Sequence, residues 1–289
     1  MLRRQRTILG LLSTANTTVS ATQFQKYVFL LSEETFLGKD GAFYEFLPYK
    51  FGAYSFSAQR EIEALTAYGY ILSSASSLGI TTLGRQEASQ LDSDTCRAVL
   101  AIVSKYGKMP LKFLLKDVYS RYPWYASRSE LIDIVPESAP KTKAAPIAVY
   151  TMGYENRSVD GFLNNLLRQG MKRIVDVRAN PVSRKYGFAR SSLSNLAGKL
   201  GIGYFHRPEL GISSAKRRGV ETPSEFRALF GYYERQILPA KADVIAEVAE
   251  LVKGAPSVLV CMEKEAVDCH RSRLAARIAS LTSLDIVHL

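Results

Sequence analysis

In the first half of the chain, apolar residues recur at helical spacing. Residues 1–14 open with Arg3, Arg4 and Arg6 and turn apolar at Ile8, Leu9, Leu11 and Leu12, the pattern of a helix start. After the polar break Asn16-Thr17-Thr18, Ser20 or Thr22 can cap a second helix carrying Phe24, Tyr27, Val28, Leu30 and Leu31. Residues 38–41, Gly-Lys-Asp-Gly, read as a turn, and residues 43–49 alternate as an extended segment. A third helix is expected over 57–68, with Ile62 and Leu65 inward and Gly69 ending it; residues 70–72 and 79–83 read as a hairpin. Two more helices are expected between 91 and 119, parted by Gly107-Lys108-Met109-Pro110, and the aromatic run 119–125 is expected to pack against either domain, the alternative being to stack on a base.

Residues 136–146, with Pro136, Pro140 and Pro146 among Ser, Lys and Ala, read as a linker. Beyond it the pattern alternates. Short apolar runs at 147–151, 173–177, 204–206, 258–261 and 286–288 are separated by helical patterns at 158–169, 191–200, 224–237, 240–252 and 269–280. Such alternation implies a parallel sheet covered on both faces. The expected fold class is therefore α/β: a Rossmann-like parallel-sheet domain over 147–289, preceded by a mostly helical domain over 1–135 whose helix–helix–helix–hairpin order suits a winged helix.

In a parallel sheet the residues that follow each strand meet on one edge, even when far apart in sequence. That edge should gather Tyr154, Glu155, Asn156 and Arg157 after the first strand, and Asp176 and Arg178 with Ser183 and Arg184 after the second. His206 and Glu209 come after the third; Cys261, Glu263, Cys269, His270 and Arg271 come after the fourth. Glu155 and Asp176 are the candidate general acid/base pair; Arg178, Arg184 and Arg271 are candidate anion clamps, and His270 is a candidate proton carrier. Cys269 would open a helix whose apolar face is Leu274, Ile278 and Leu281. There it is either a thiolate nucleophile or a helper in anion binding. Tyr154, Asn156, Arg157, Ser183, His206, Glu209 and Glu263 complete the candidate substrate-binding set.

Composition narrows the classes. The 289 residues carry a net charge of +11, very unevenly: residues 168–218 hold twelve Lys and Arg against two acids. A basic surface of that kind attracts polyanions, nucleic acid first, and Lys185, Arg190, Lys216, Arg217 and Arg218 are the expected contacts. Three cysteines make no disulfide scaffold; Cys261, Cys269 and His270 could in principle supply three zinc ligands, but their spacing matches none of the usual knuckles, so metal is the minority reading and none is expected. Dinucleotide and phosphate-loop fingerprints are absent, so no cofactor is expected either. With no apolar run of membrane-spanning length and no signal-peptide pattern, a cytoplasmic location is expected.

Two resemblances sharpen this picture. Residues 49–55 (Tyr49, Lys50, Phe51, Gly52, Ala53, Tyr54, Ser55) resemble the Tyr-Lys-Tyr-Gly-Pro-Tyr-Ser type segment of winged-helix domains in antitoxin-like and regulatory proteins, with Phe51 and Ala53 as departures. DNA binding of that kind would bring Lys50, Tyr54, Ser55, Gln59 and Arg60 near a phosphate backbone. Residues 151–158, 175–184, 204–211 and 261–271 follow, in order, the four motifs of the DUF488 family, which this half of the chain therefore resembles. The resemblance implies a Rossmann-like fold and a site at those motifs; the family's activity is unassigned, and Asn156 stands where relatives often have Gly or a small polar residue.

The expected function is a nucleic-acid-binding protein with a hydrolytic site in the α/β domain, acting on a base, sugar or phosphate. The alternatives are a DNA-binding regulator that senses a small anion, and a phage-defence or antitoxin-like component whose N-terminal domain binds a protein.

Overall fold

The computed structural model describes residues 1–39, 41–74 and 77–289. Contacts divide it into two compact units, Met1–Lys141 and Thr142–Leu289.

The first unit is mostly helical. Its elements are α1 (Arg3–Ala15), α2 (Ala21–Glu34), the hairpin β1 (Leu47–Tyr49) and β2 (Gly52–Tyr54), α3 (Phe56–Ala67), and a second hairpin of β3 (Ile71–Ser73) and β4 (Leu78–Ile80). After them come α4 (Thr82–Ala88), α5 (Ser93–Tyr106), α6 (Leu111–Arg121) and the short α7 (Pro123–Ala126). Side-chain caps fix where the helices begin: Ser20, Ser55 and Asp92 accept from the backbone N–H of Gln23, Ala58 and Thr95. The second arm of the hairpin stops short of Leu83 for the same reason. Thr81 accepts from Gly84 N at 3.0 Å and turns the chain into α4. Asp40 of the expected turn at 38–41 lies outside the described residues.

Helix α2 runs through the core of this unit. Phe24, Phe29 and Leu30 are fully buried, and the Phe29 ring meets Phe46, Tyr122 and Tyr125 edge-on at 5.3, 5.1 and 4.7 Å. The aromatic run thus packs inward, as its apolar content requires. Two polar residues of α2 are buried with it. The Gln25 amide holds both backbone groups of Ser55, and Lys26 donates from Nζ to the Ala53 carbonyl at 2.6 Å.

The second unit holds five parallel strands, β5 (Val149–Gly153), β6 (Arg173–Asp176), β7 (Gly203–His206), β8 (Ser257–Cys261) and β9 (Ile286–His288), in the order β7-β6-β8-β5-β9. Between them run α8 (Val159–Arg168), α9 (Arg190–Lys199), α10 (Ser214–Arg217), α11 (Pro223–Tyr232), α12 (Ala242–Gly254) and α13 (His270–Thr282). Val149, Val175 and Leu259 of the sheet join α12 and α13 in one apolar cluster. The residues that alternate with them, Ile174, Val258 and Val260, are just as fully buried, so both faces are covered. The helix expected over 224–237 is α11 followed by a π-helical turn, Tyr233–Ile237, which buries Tyr233 with its hydroxyl donating to the Leu210 carbonyl at 2.6 Å. Leu281 is half exposed; the apolar face of α13 is Leu274, Ala275 and Ile278.

The strand order places the ligand crevice. From β6 the chain moves outward to β7, whereas from β8 it moves the other way to β9, so the connections of these neighbouring strands diverge. Open α/β sheets bind ligands where neighbouring connections part at the carboxyl ends. Here that place lies between Asp176 and Cys261.

Candidate functional site

At this divergence lies a cluster of two thiols, an imidazole, a carboxylate and a guanidinium. Cys261 is the last residue of β8, Cys269 the residue that precedes α13, and His270 the first residue of that helix; all three are buried. Glu263 Oε2 accepts from both thiols, at 3.0 Å from Cys261 Sγ and 2.9 Å from Cys269 Sγ. Its other oxygen accepts from Arg217 at 2.8 Å, and Arg217 also reaches His270 Nδ1 at 3.1 Å. His270 Nε2 faces the Val177 carbonyl at 3.2 Å, which joins the end of β6 to the start of α13. Tyr233 lies edge-on to the imidazole, at 5.4 Å between ring centres.

The charges in this cluster are well defined. Burial alone would push the Glu263 carboxyl up, but hydrogen bonds from Cys269 and Cys261, with the charge of Arg217 beyond them, hold it at about 2. It is therefore ionised at any ordinary pH. The hydrogen bond with Cys269 and burial push the Cys261 thiol well above the usual range, so it rests protonated, as a donor.

The loop that carries Glu263 is set by its backbone. Arg271 is buried and donates from its two terminal nitrogens to the carbonyls of Glu263 and Lys264. This replaces its expected role as an anion clamp, because the guanidinium is spent on main chain. Gly153, at the end of β5, allows the close approach. A Cβ there would stand 1.8 Å from the Glu263 carbonyl oxygen. Glu155 steadies the same loop, its Oε2 accepting from Lys264 N at 2.9 Å.

Asp176 and Arg178 form a separate buried assembly. Arg178 donates to both carboxylate oxygens of Asp176, to the Tyr154 hydroxyl at 3.1 Å and to the Phe188 carbonyl at 2.8 Å. Tyr204 donates to Asp176 as well; burial and the adjacent carboxylate hold its hydroxyl well above the usual phenol range. Asp176 is fully buried, and its lone pairs are occupied. This corrects the expected pairing of Asp176 with Glu155 and the expected clamp at Arg178: the two residues hold each other and the strand end. Tyr154 belongs to this assembly, stacked on Phe188 at 4.2 Å. His206 Nε2 lies 2.9 Å from the Arg178 carbonyl.

Other expected residues lie around these two assemblies. Asn156 takes a left-handed backbone (φ 58°), which explains why a Gly or small polar residue suits the position. Arg157 is half-buried, while Glu209 is exposed. Ser183 accepts from Lys185 N at 3.1 Å, and Arg184 and Lys185 are exposed. Arg190 and His206 line a cavity of about 400 Å³ with Ser191, Ser194, Asn195 and Tyr204. Lys216 and Arg218 are exposed on either side of Arg217, with Lys216 Nζ 2.9 Å from the Tyr232 hydroxyl.

In the first unit, Lys50 forms an exposed pair with Glu130 at 3.3 Å, and Arg60 is exposed on α3. Tyr54 is half-buried against Tyr49 and Phe56. Lys50, Tyr54 and Gln59 border a cavity of about 270 Å³ that also reaches Gln25 and Lys26.

Sequence reasoning missed the partnership of Arg217 with Glu263, the hold of Tyr204 on Asp176, and the burial of Lys26. The spacing Cys261-x-Glu263 at a strand end was a usable signal for the first. A lone lysine between Phe24 and Val28 was one for the last.

No helix is long and apolar enough to cross a membrane among the described residues. No curated protein and no solved structure matches the chain. Residues 158–278, from the cap of α8 through most of α13 and therefore including both assemblies apart from the β5 end, match the family model described as "Domain of unknown function DUF488", and the C-terminal part of this chain is a DUF488 domain.

Proposed function

We propose that the α/β unit, read as Rossmann-like, is a hydrolase acting on a nucleic acid or nucleotide, with Glu263, Cys261, Cys269 and His270 as its reactive groups. The first unit, read as a winged helix, is a second nucleic-acid contact through Lys50, Tyr54 and Arg60. One observation carries the reading: an ionised carboxylate is held between two thiols and an arginine where the sheet connections diverge, next to exposed basic residues. Ionisable groups are costly to gather unless chemistry or binding uses them.

The roles follow from the electrostatics. Arg217 is partly exposed, and its neighbours Lys216 and Arg218 extend the positive charge outward. An incoming phosphate attracts Arg217 away from Glu263. With Arg217 gone, the outer oxygen of Glu263, which the thiols do not occupy, is free to take a proton from water. Arg217 then holds the phosphate oxygens, and the protonated Cys261 thiol is a donor for the leaving group.

The test is turnover on single-stranded and duplex DNA, RNA and free nucleotides. Glu263→Gln and Cys269→Ser should each lower kcat by at least about 100-fold while leaving nucleic-acid affinity within about twofold. Affinity itself should fall steeply with salt as counterions are released. Turnover that survives Glu263→Gln, or no turnover on any of these substrates, sinks the reading.

A further inference from the structure

We propose that Cys261 Sγ, Cys269 Sγ and His270 Nδ1, with Glu263 Oε2 as the fourth donor, form a binding site for one zinc-class divalent ion. The spacing of Cys261, Cys269 and His270 matches no usual zinc motif; the fold brings the three together. The three Cys and His donor atoms all lie within 4.8 Å of one another. The two Sγ–Nδ1 separations are 3.7 and 3.8 Å. In a tetrahedral zinc site, with bonds of about 2.3 Å to sulfur and about 2.0 Å to nitrogen, sulfur and nitrogen stand about 3.6 Å apart. Two edges of the tetrahedron are thus already in place to within about 0.2 Å.

Glu263 completes the figure. Its Oε2 lies 3.0 and 2.9 Å from the two sulfurs, where it accepts their protons. As a ligand it would stand about 3.5 Å from each, a retreat of about half an ångström once both S–H protons have left to solvent. The imidazole is set for the task. Its Nε2 faces the Val177 carbonyl, an acceptor only, so the ring proton sits on Nε2 and the Nδ1 lone pair points at the sulfurs. Arg217 donating to Nδ1 requires the same tautomer, and an incoming ion takes that lone pair, so Arg217 gives up Nδ1 and keeps its bond to the outer oxygen of Glu263.

Charge and softness agree. Two thiolates and the Glu263 carboxylate carry three negative charges, which one divalent ion and the Arg217 guanidinium balance. Arg217, on the outer carboxylate oxygen, would then orient the ligand from the second layer. Two sulfurs and an imidazole select zinc-class ions over magnesium or calcium. The backbone is arranged beforehand as well: Cys261 ends a central strand, Cys269 and His270 start a helix, and Arg271 pins the loop between them. The site does not depend on the hydrolytic reading: it uses the same four side chains, and an ion bound there removes the Cys261 proton and occupies Glu263, so the two readings describe the metal-loaded and the metal-free chain.

The experiment loads the reduced, chelator-treated full chain with Zn²⁺ or Co²⁺. One equivalent per chain should survive gel filtration. The Co²⁺ form should show thiolate-to-cobalt charge transfer and the intense visible bands of a tetrahedral ion. Cys261→Ser and Cys269→Ser should each weaken binding at least about 100-fold, and Glu263→Gln about 10- to 100-fold, whereas the exposed Cys96→Ser should change nothing. In the wild-type chain itself, Zn²⁺ should slow alkylation of the buried Cys261 and Cys269 well below their rate in the metal-free chain while leaving Cys96 unchanged, a readout that needs no variant to fold. Substoichiometric uptake, loss of uptake in Cys96→Ser, unweakened binding in the cysteine variants, or recovery of the reduced chain's Cys261 and Cys269 unshielded by Zn²⁺ would each overturn the site. Metal loading, with no turnover by the metal-free chain, would defeat the hydrolase reading and leave the site standing.

Discussion

Lys26 shows how much one side chain can change the energetics of a unit. It is fully buried on α2, and burial lowers its pKa from 10.5 to about 7, although Nζ keeps a hydrogen bond to the Ala53 carbonyl. The unfolded chain therefore binds more protons than the folded one between about pH 7 and pH 10.5, and stability rises with pH across that window. Below pH 7 the penalty is complete. Lys26→Met should remove it, raising stability by about 2–4 kcal/mol at pH 7 and by little above pH 10.5. Denaturant melts at pH 7 and pH 10.5 check this: an equal gain at both would mean that the amine is not what costs the stability.

Among the elements, the loop between β8 and α13 matters most, since it carries Glu263 between the two cysteines. Arg271 holds that loop from inside the helix that follows it. Arg271→Met keeps the apolar stem and removes both donors, so amide exchange over residues 262–268 should quicken about tenfold or more while the sheet amides keep their protection. Uniform loss of protection across the unit would instead mark Arg271 as a support for the whole fold. The strands and helices of this unit were legible in sequence because apolar runs and capping residues such as Ser158 are local signals. So was the gathering of their ends on one edge, which follows from parallel topology alone. The division of labour on that edge was not. Nothing in the local pattern says that Arg178 spends itself on Asp176, Tyr154 and Phe188, or that Arg217 turns toward Glu263, because those partners lie up to 46 residues away in sequence. Long polar side chains choose partners by tertiary geometry, which periodicity does not encode.

For the whole molecule, the two units differ in charge as well as in fold. Residues 1–141 hold 16 basic and 13 acidic residues, whereas residues 142–289 hold 22 and 14. Each unit has its own apolar cluster, so residues 1–141 and 142–289 made as separate chains should each unfold in a single cooperative step. Salt-sensitive binding to nucleic acid should follow the second piece. Equal binding by both pieces would overturn the charge argument. Strand β8 lies third of five and is hydrogen-bonded along both edges, and the thiol at its end is buried. The middle of a sheet parts last, so in the metal-free chain an alkylating probe should reach that sulfur far more slowly than Cys96 on the surface. Cys261 is thus a built-in timer of how often the crevice opens, read against Cys96 as the zero of the clock.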